Sequence, residues 1–170
     1  MPAQYLDEFI RELRRDGERT FRAHHAAPVL LVTRAEGDTK GGKDTKETTV
    51  MADTSGWRIQ QVSLLNRVFA VSRGAFEKEA PVTLGRTDAT DICVPDASVS
   101  KRHCLFETKG GVVTVTDSGS TNGTIVDDVE LEAGQPFALK GGETLSLGNF
   151  SFLYQTPDSF VAYLKRIVEI

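Results

Sequence analysis

The sequence predicts an antiparallel-rich, all-β sandwich with a helical extension at each end, and three observations carry the prediction. Between Trp57 and Gln155 the text is a succession of short β-rich runs: "WRIQQVSL", "RVFAVS", "PVTLGR", "DICV", "HCLFET", "VVTVTD", "TIVD", "PFALK", "ETLSLG" and "FSFLY". Turn residues such as Asn66-Arg67, Gly110-Gly111, Asn122-Gly123, Gly141-Gly142 and Gly148-Asn149 separate them, with no helical period between. Near both termini, by contrast, apolar residues recur at the spacing of one helix face.

In chain order, residues 1–34 read as a helix followed by a strand. Leu6, Phe9, Ile10 and Leu13 form one helical face, which Phe21 continues less regularly past Gly17. Pro28 then introduces "VLLVT", an apolar run that suits a buried strand. Residues 35–56 change character: "AEGDTKGGKDTKETTVMADTSG" holds almost nothing to bury and cannot offset its own ordering entropy, so it reads as a flexible linker. The β region follows over 57–155. Residues 156–170 close the chain as an amphipathic helix, with Thr156 suited to the N-cap, Pro157 to the first helical position and Asp158 to the positive helix end. Phe160, Val161, Leu164, Ile167 and Val168 make its apolar stripe. The two terminal faces are expected to bury against each other or against the sandwich, and they are also candidate surfaces for dimerisation.

Composition narrows the function. The chain has 170 residues, 39% hydrophobic and 26% charged, enough for one good core. A net charge of −4 argues against general attraction to nucleic acid or to an anionic membrane, so any anion site must be a local basic cluster. No apolar run approaches a membrane span, and the charged start "MPAQYLDEFIRELRRDGER" does not resemble a signal peptide. The two cysteines, Cys93 and Cys104, show no metal or redox spacing and read as core thiols of a cytoplasmic protein. No metal and no cofactor is implied.

The stretch "DSGSTNGT", Asp117 to Thr124, is hard to explain as packing, because it contains no apolar side chain yet directly follows a strand. It is one of three polar clusters in the β region. The others are "TLGRTD", where Gly85 and Arg86 end an apolar run, and "SVSKRH", with Ser100, Lys101, Arg102 and His103. Loops at one end of a sandwich converge although they are distant in sequence. Brought together, these three offer a guanidinium, an ammonium, hydroxyls and a carboxamide around one concavity. That donor set suits a tetrahedral dianion, with arginine supplying a bidentate fork.

"GR", then "SxxH" from Ser100 to His103, then "DxGSxNGT" from Asp117 to Thr124 resemble the forkhead-associated (FHA) domain, over roughly Trp57 to Gln155. "ATDICVPDASVSKRHC" and "ETLSLGNFSF" are similar to the family's connecting text. The resemblance implies a β-sandwich that recognises phosphothreonine peptides through an arginine-containing cluster. It assigns phosphate contacts to Arg86, Ser100, Lys101 and Thr121, and a clamp on the peptide backbone to Asn122. Gly85, His103 and Gly123 would support the site: Gly85 by close backbone approach, His103 behind the serine loop, Gly123 by a positive φ. A strand-end arginine, a turn serine, a solvated lysine, a turn threonine and an Asn-Gly hairpin are the plain structural alternatives. Some members carry an arginine at the position of Ser98 to select an acidic residue, so that selectivity is expected to be absent here or built elsewhere.

The implied function is a bacterial signalling adaptor that binds a phosphothreonine-containing protein downstream of a Ser/Thr kinase, and not an enzyme. A phosphate-independent scaffold or assembly module is the alternative. A hydrolase triad of Ser100, His103 and Asp117 lacks a nucleophile elbow, and "GSTNGT" lacks the Gly-Lys of a P-loop. In the linker, "KETTV" presents Thr48 and Thr49 as candidate phosphorylation sites. A Thr-rich linker of no special role is the weightier reading. The sharper one, drawn from the resemblance to small bacterial regulators, is that a phosphorylated threonine docks into the protein's own pocket.

Overall fold

A computed structural model describes residues 4–35, 50–52, 59–61, 64–74, 77 and 79–168. Along the chain run β1 (Gln4–Tyr5), α1 (Leu6–His24), β2 (Val29–Ala35), β3 (Val50–Ala52), β4 (Ile59–Gln61), β5 (Arg67–Ala70), β6 (Val82–Gly85), β7 (Ile92–Cys93) and β8 (Cys104–Lys109). They continue as β9 (Val112–Asp117), β10 (Ile125–Val126), β11 (Val129–Glu130), β12 (Phe137–Leu139), β13 (Thr144–Leu147), β14 (Phe150–Gln155) and α2 (Pro157–Val168). One sheet has the order β1-β5-β2-β14-β13-β10-β11 and faces a second of order β12-β9-β8-β6-β7. Among the described residues the pairings are antiparallel except β6 with β7. The expected all-β sandwich with a helix at each end is therefore the fold.

Alternation explains how the two sheets meet. In β8, Cys104 and Phe106 point inward, while β9 turns in Val113, Val115 and Asp117. Cys104, Phe106, Val113 and Val115 join Leu84, Leu145, Leu147, Phe150, Phe152 and Tyr154 in one buried core between the sheets. "VLLVT" has no alternation because β2 is covered on both faces. Its Leu30 and Val32 enter the inter-sheet core, whereas Val29 and Leu31 enter a second core on the outer face. The sandwich thus takes in Val29–Ala35 as well as the motif-bearing region, with β2 seated between β5 and β14.

The second core is where the terminal helices go. Phe9, Leu13 and Phe21 of α1 and Phe160, Val161 and Leu164 of α2 are buried together against Val29, Leu31 and Val68. Phe9 and Phe160 meet edge-on at 5.4 Å between ring centres. Gly17, with φ 78° and ψ 162°, interrupts α1 between Leu13 and Phe21. Much of both helix faces is buried inside the chain; among the described residues of the two helices Leu6, Ile10 and Val168 are half-buried and Ile167 is 42% exposed. Thr156 caps α2 as expected, its Oγ1 accepting from the Ser159 N–H at 3.2 Å. Lys165 pairs with Glu18, and Arg22 with Asp158, across the two helices.

Val50–Ala52, assigned by composition to the linker, pairs with Ile59–Gln61 as a separate two-stranded ribbon. Residues 36–49 and 53–56 of that linker, with Thr48 and Thr49, lie outside the described residues. No described helix is long and apolar enough to cross a membrane.

Candidate functional site

Three loops follow the ends of β6, β7 and β9, and backbone hydrogen bonds tie them into one surface. Gly85 ends β6. A Cβ there would stand 2.2 Å from the Lys101 carbonyl oxygen and 2.8 Å from its carbon, so only glycine lets β6 run this close to the serine turn. The next residue locks the junction: the Arg86 N–H donates to the Ser100 carbonyl at 3.0 Å, and the His103 N–H to the Leu84 carbonyl at 2.9 Å.

His103 is completely buried and joins the other two loops. Its Nδ1 accepts from the Ser100 N–H at 3.1 Å, which places the ring proton on Nε2, where it donates to the Gly123 carbonyl at 2.9 Å. Burial holds its pKa below the ordinary imidazole value, against the opposing influences of the Gly123 carbonyl and the Asp117 carboxylate. The histidine is therefore a neutral strut with both nitrogens occupied by backbone.

The "DSGSTNGT" loop is organised by its own aspartate. Asp117, 3% exposed at the end of β9, accepts from the Gly119 and Ser120 N–H groups at 3.0 Å each. Its other oxygen accepts from Ser120 Oγ at 2.5 Å and Thr124 Oγ1 at 2.7 Å. Burial works to raise its pKa, but these hydrogen bonds outweigh it together and leave the carboxylate below its usual value. Gly123 sits at φ 78°. The loop then reaches across: the Thr121 N–H donates to Ser100 Oγ at 3.0 Å, and Asn122 Nδ2 to the Ser98 carbonyl at 2.8 Å.

The sequence-named residues thus fall into two groups. Gly85, His103 and Gly123 lie in the framework, and Arg86, Ser100, Lys101, Thr121 and Asn122 line its outer edge. Ser100 Oγ accepts from Thr121, so its own proton remains free to donate outward. Among the described residues the side chains of Arg86, Lys101 and Arg102 have no hydrogen-bond or ion-pair partner. Asn122 has one amide N–H engaged, leaving its second N–H and its carbonyl. Collectively these groups can donate to an anion and exchange bonds with an extended backbone.

Ser98 faces inward. Its hydroxyl donates to Asp96 at 2.6 Å and accepts from the Asn149 N–H at 2.9 Å. A Ser100–His103–Asp117 triad is not assembled, since His103 is bonded to backbone on both sides and Asp117 to Ser120, Gly119 and Thr124. Cys104 is a core thiol as expected, whereas Cys93 is only half-buried and outside the core; burial pushes both thiol pKa values up. Among the described residues no cluster of three His, Cys, Asp or Glu side chains is placed to hold a metal ion. Sequence reasoning missed Asp117 and Thr124 as organisers, although an aspartate at a strand end followed by Gly-Ser is an Asx-turn signal. It missed the Asn122–Ser98 bond, for which no local signal exists.

The chain is similar to known proteins in sequence and in fold. The FHA domain model matches residues 82–148. The chain is 34% identical over 82 residues to the glycogen accumulation regulator GarA of Mycolicibacterium smegmatis, covering 48% of this chain and 50% of that protein. It is 35% identical over 72 residues to an oxoglutarate dehydrogenase inhibitor of Corynebacterium diphtheriae, covering 42% and 48%. The chain spans about half the length of these curated relatives. Two solved structures share the fold. One is Mycobacterium tuberculosis EmbR in complex with a low affinity phosphopeptide, with TM-score 0.51 and 15% identity over 88% of this chain and 29% of that one. The other is the FHA domain of an Arabidopsis thaliana hypothetical protein, with TM-score 0.50 and 17% identity over 77% and 86%.

Proposed function

Since this chain carries an FHA domain at residues 82–148, we propose that it is a phosphothreonine-peptide-binding adaptor that takes its partners from a Ser/Thr protein kinase and catalyses nothing itself. One observation carries the reading. Framework bonds through His103, Ser100 and Asn122 hold three loops together, and the Arg86 guanidinium at their edge is unpartnered among the described residues. Arg86 supplies the bidentate fork for the phosphate, Ser100 a hydroxyl donor, Lys101 charge and Thr121 a second hydroxyl. Asn122 holds the peptide backbone with its remaining donor and acceptor.

A finer reading adds self-regulation by phosphorylated Thr48 or Thr49. Its support is positional. Ala35, the last residue of β2, pairs with Phe150, beside the Gly148-Asn149 turn that contacts Ser98. Ala35, the last described residue before the two threonines in sequence, therefore lies near the Ser98 turn. Thr48 lies 13 residues beyond Ala35. At about 3.3–3.6 Å per extended residue that tether is ample, and tethering supplies an effective concentration on the order of mM. Dimerisation through the terminal helices would draw on the exposed Ile167 and the half-buried Leu6, Ile10 and Val168.

The test is fluorescence anisotropy with phosphothreonine, phosphoserine and unphosphorylated peptides, one of them the chain's own 42–55 segment phosphorylated at Thr48 or Thr49. Phosphothreonine-dependent binding is expected, weakened about 30-fold in Arg86→Ala by loss of about 2 kcal/mol from a charged hydrogen bond. Equal binding of all three peptide classes by folded protein would replace the reading with a phosphate-independent assembly module. Unimpaired external binding after intact mass shows phosphate at Thr48 or Thr49 would remove self-regulation alone.

A further inference from the structure

Beside the asparagine that lines the site lies a carboxylate that the fold does not use. Glu130, the last residue of β11, pairs with Ile125 of β10 in the hairpin that leaves the "DSGSTNGT" loop, and the Leu131 N–H closes back on the Thr124 carbonyl at 2.9 Å. This pairing folds the Glu130 side chain over Gly123. A Cβ built on Gly123 would stand 2.9 Å from Glu130 Oε1. The side chain is exposed and, among the described residues, has no hydrogen-bond or ion-pair partner. Arg86, Lys101 and Arg102 belong to the β6 and serine loops, whereas Glu130 sits against Gly123, the neighbour of Asn122 in the third loop.

Ser98 cannot supply charge selection, because it is neutral and its hydroxyl is spent on Asp96 and Asn149. From Glu130 we infer that the site selects phosphothreonine peptides carrying a lysine or arginine within a few residues of the phosphothreonine, on the side that crosses Asn122 and Gly123. The inference rests on the phosphothreonine reading and names the ligand class of that same site. An extended peptide advances about 3.3 Å per residue, so a residue two or three positions from a phosphate held at Arg86 and Ser100 passes over the asparagine. A basic side chain there meets an unpaired carboxylate, whereas an acidic one meets like charge. Specificity is the difference between the two. The contact lies at an exposed rim and is weakened by salt.

The experiment uses the full chain and a phosphothreonine peptide series in which each of the four positions on either side of the phosphothreonine is lysine or glutamate in turn. Affinities are read by anisotropy at low and high salt for the wild type, Glu130→Gln and Glu130→Lys. At one or more positions on one side, the wild type is expected to favour lysine by roughly two- to five-fold, the size of an exposed ion pair. Glu130→Gln loses that preference and Glu130→Lys reverses it, while phosphate dependence persists in both. Phosphate-dependent binding whose lysine preference is absent, or is the same in all three proteins, overturns the inference and leaves the phosphothreonine reading intact. Absence of phosphate-dependent binding to every peptide overturns both.

Discussion

On the helix-covered face, Phe9, Phe21, Phe160 and Leu164 lie buried against Val29, Leu31 and Val68, held mainly by apolar contact. At the loop end, His103, Asp117 and Thr124 are equally buried but are held by aimed hydrogen bonds to Ser100, Gly123, Gly119 and Ser120. Apolar burial is non-directional and scales with the area removed from water, so it stabilises without dictating a particular loop path. A buried polar web does the reverse. Its net contribution per bond is small, but each bond removes one alternative shape, and losing one acceptor strands several donors. Of these two regions, the helix-covered face contributes mainly stability, beside the larger core between the sheets, and the loop end contributes mainly a fixed geometry.

Substitutions can break this division. Phe160→Ala, at a residue 1% exposed, should lower unfolding free energy by about 3–5 kcal/mol in urea denaturation while leaving the phosphopeptide affinity of the folded fraction unchanged. An affinity loss that tracks the stability loss would erase the distinction. Asp117→Ala strands two backbone and two hydroxyl donors, and should cost about 2–3 kcal/mol. Here phosphopeptide binding should fall with the loop, even where the protein remains folded by circular dichroism.

The pH dependence comes from the same web. An unfolded imidazole takes its proton near pH 6.5, and burial holds His103 below that value in the folded state. Below roughly pH 6.5 the unfolded chain binds more protons than the folded one. The His103 contribution is therefore fully present above that pH and lost as pH falls toward the folded pKa, with a slope of at most about 1.4 kcal/mol per pH unit. His103→Gln should abolish that part of the slope in denaturation midpoints measured from pH 7.5 to 5. Asp117, also lowered, acts in a separate window: its contribution is present above about pH 4 and is lost as pH falls through its folded value. Smallest of all, Glu18→Gln removes the exposed pairs to Lys165 and Arg22 and should leave the denaturation midpoint within error. A clear loss there would show that the helix layer also depends on directed contacts.

Much of this was legible in sequence because the signals are local. The β runs over 57–155 became strands, the helical stripes became α1 and α2, and Thr156 became a cap, since alternation, periodicity and capping act over a few residues. The polar loop announced itself by containing nothing to bury. Other features were not legible. "VLLVT" could be read only as buried; that it lies between β5 and β14 with a different core on each face depends on partners more than 30 residues away in sequence. Val50–Ala52 reads as linker by composition, yet its backbone pairs with Ile59–Gln61.

By itself, the sequence determined both helices and most strands of the two main sheets, the three polar motifs and the residue types able to grip a dianion. Those properties reside in each residue's own chemistry and its nearest neighbours. Only the tertiary structure decided that the Ser98 carbonyl receives Asn122, that Gly85 must admit the Lys101 carbonyl, that Ala35 pairs with Phe150, and that Glu130 rests on Gly123. Each of these joins segments brought together by sheet pairing and the packing of two layers, and such contacts follow from the shape of the whole core.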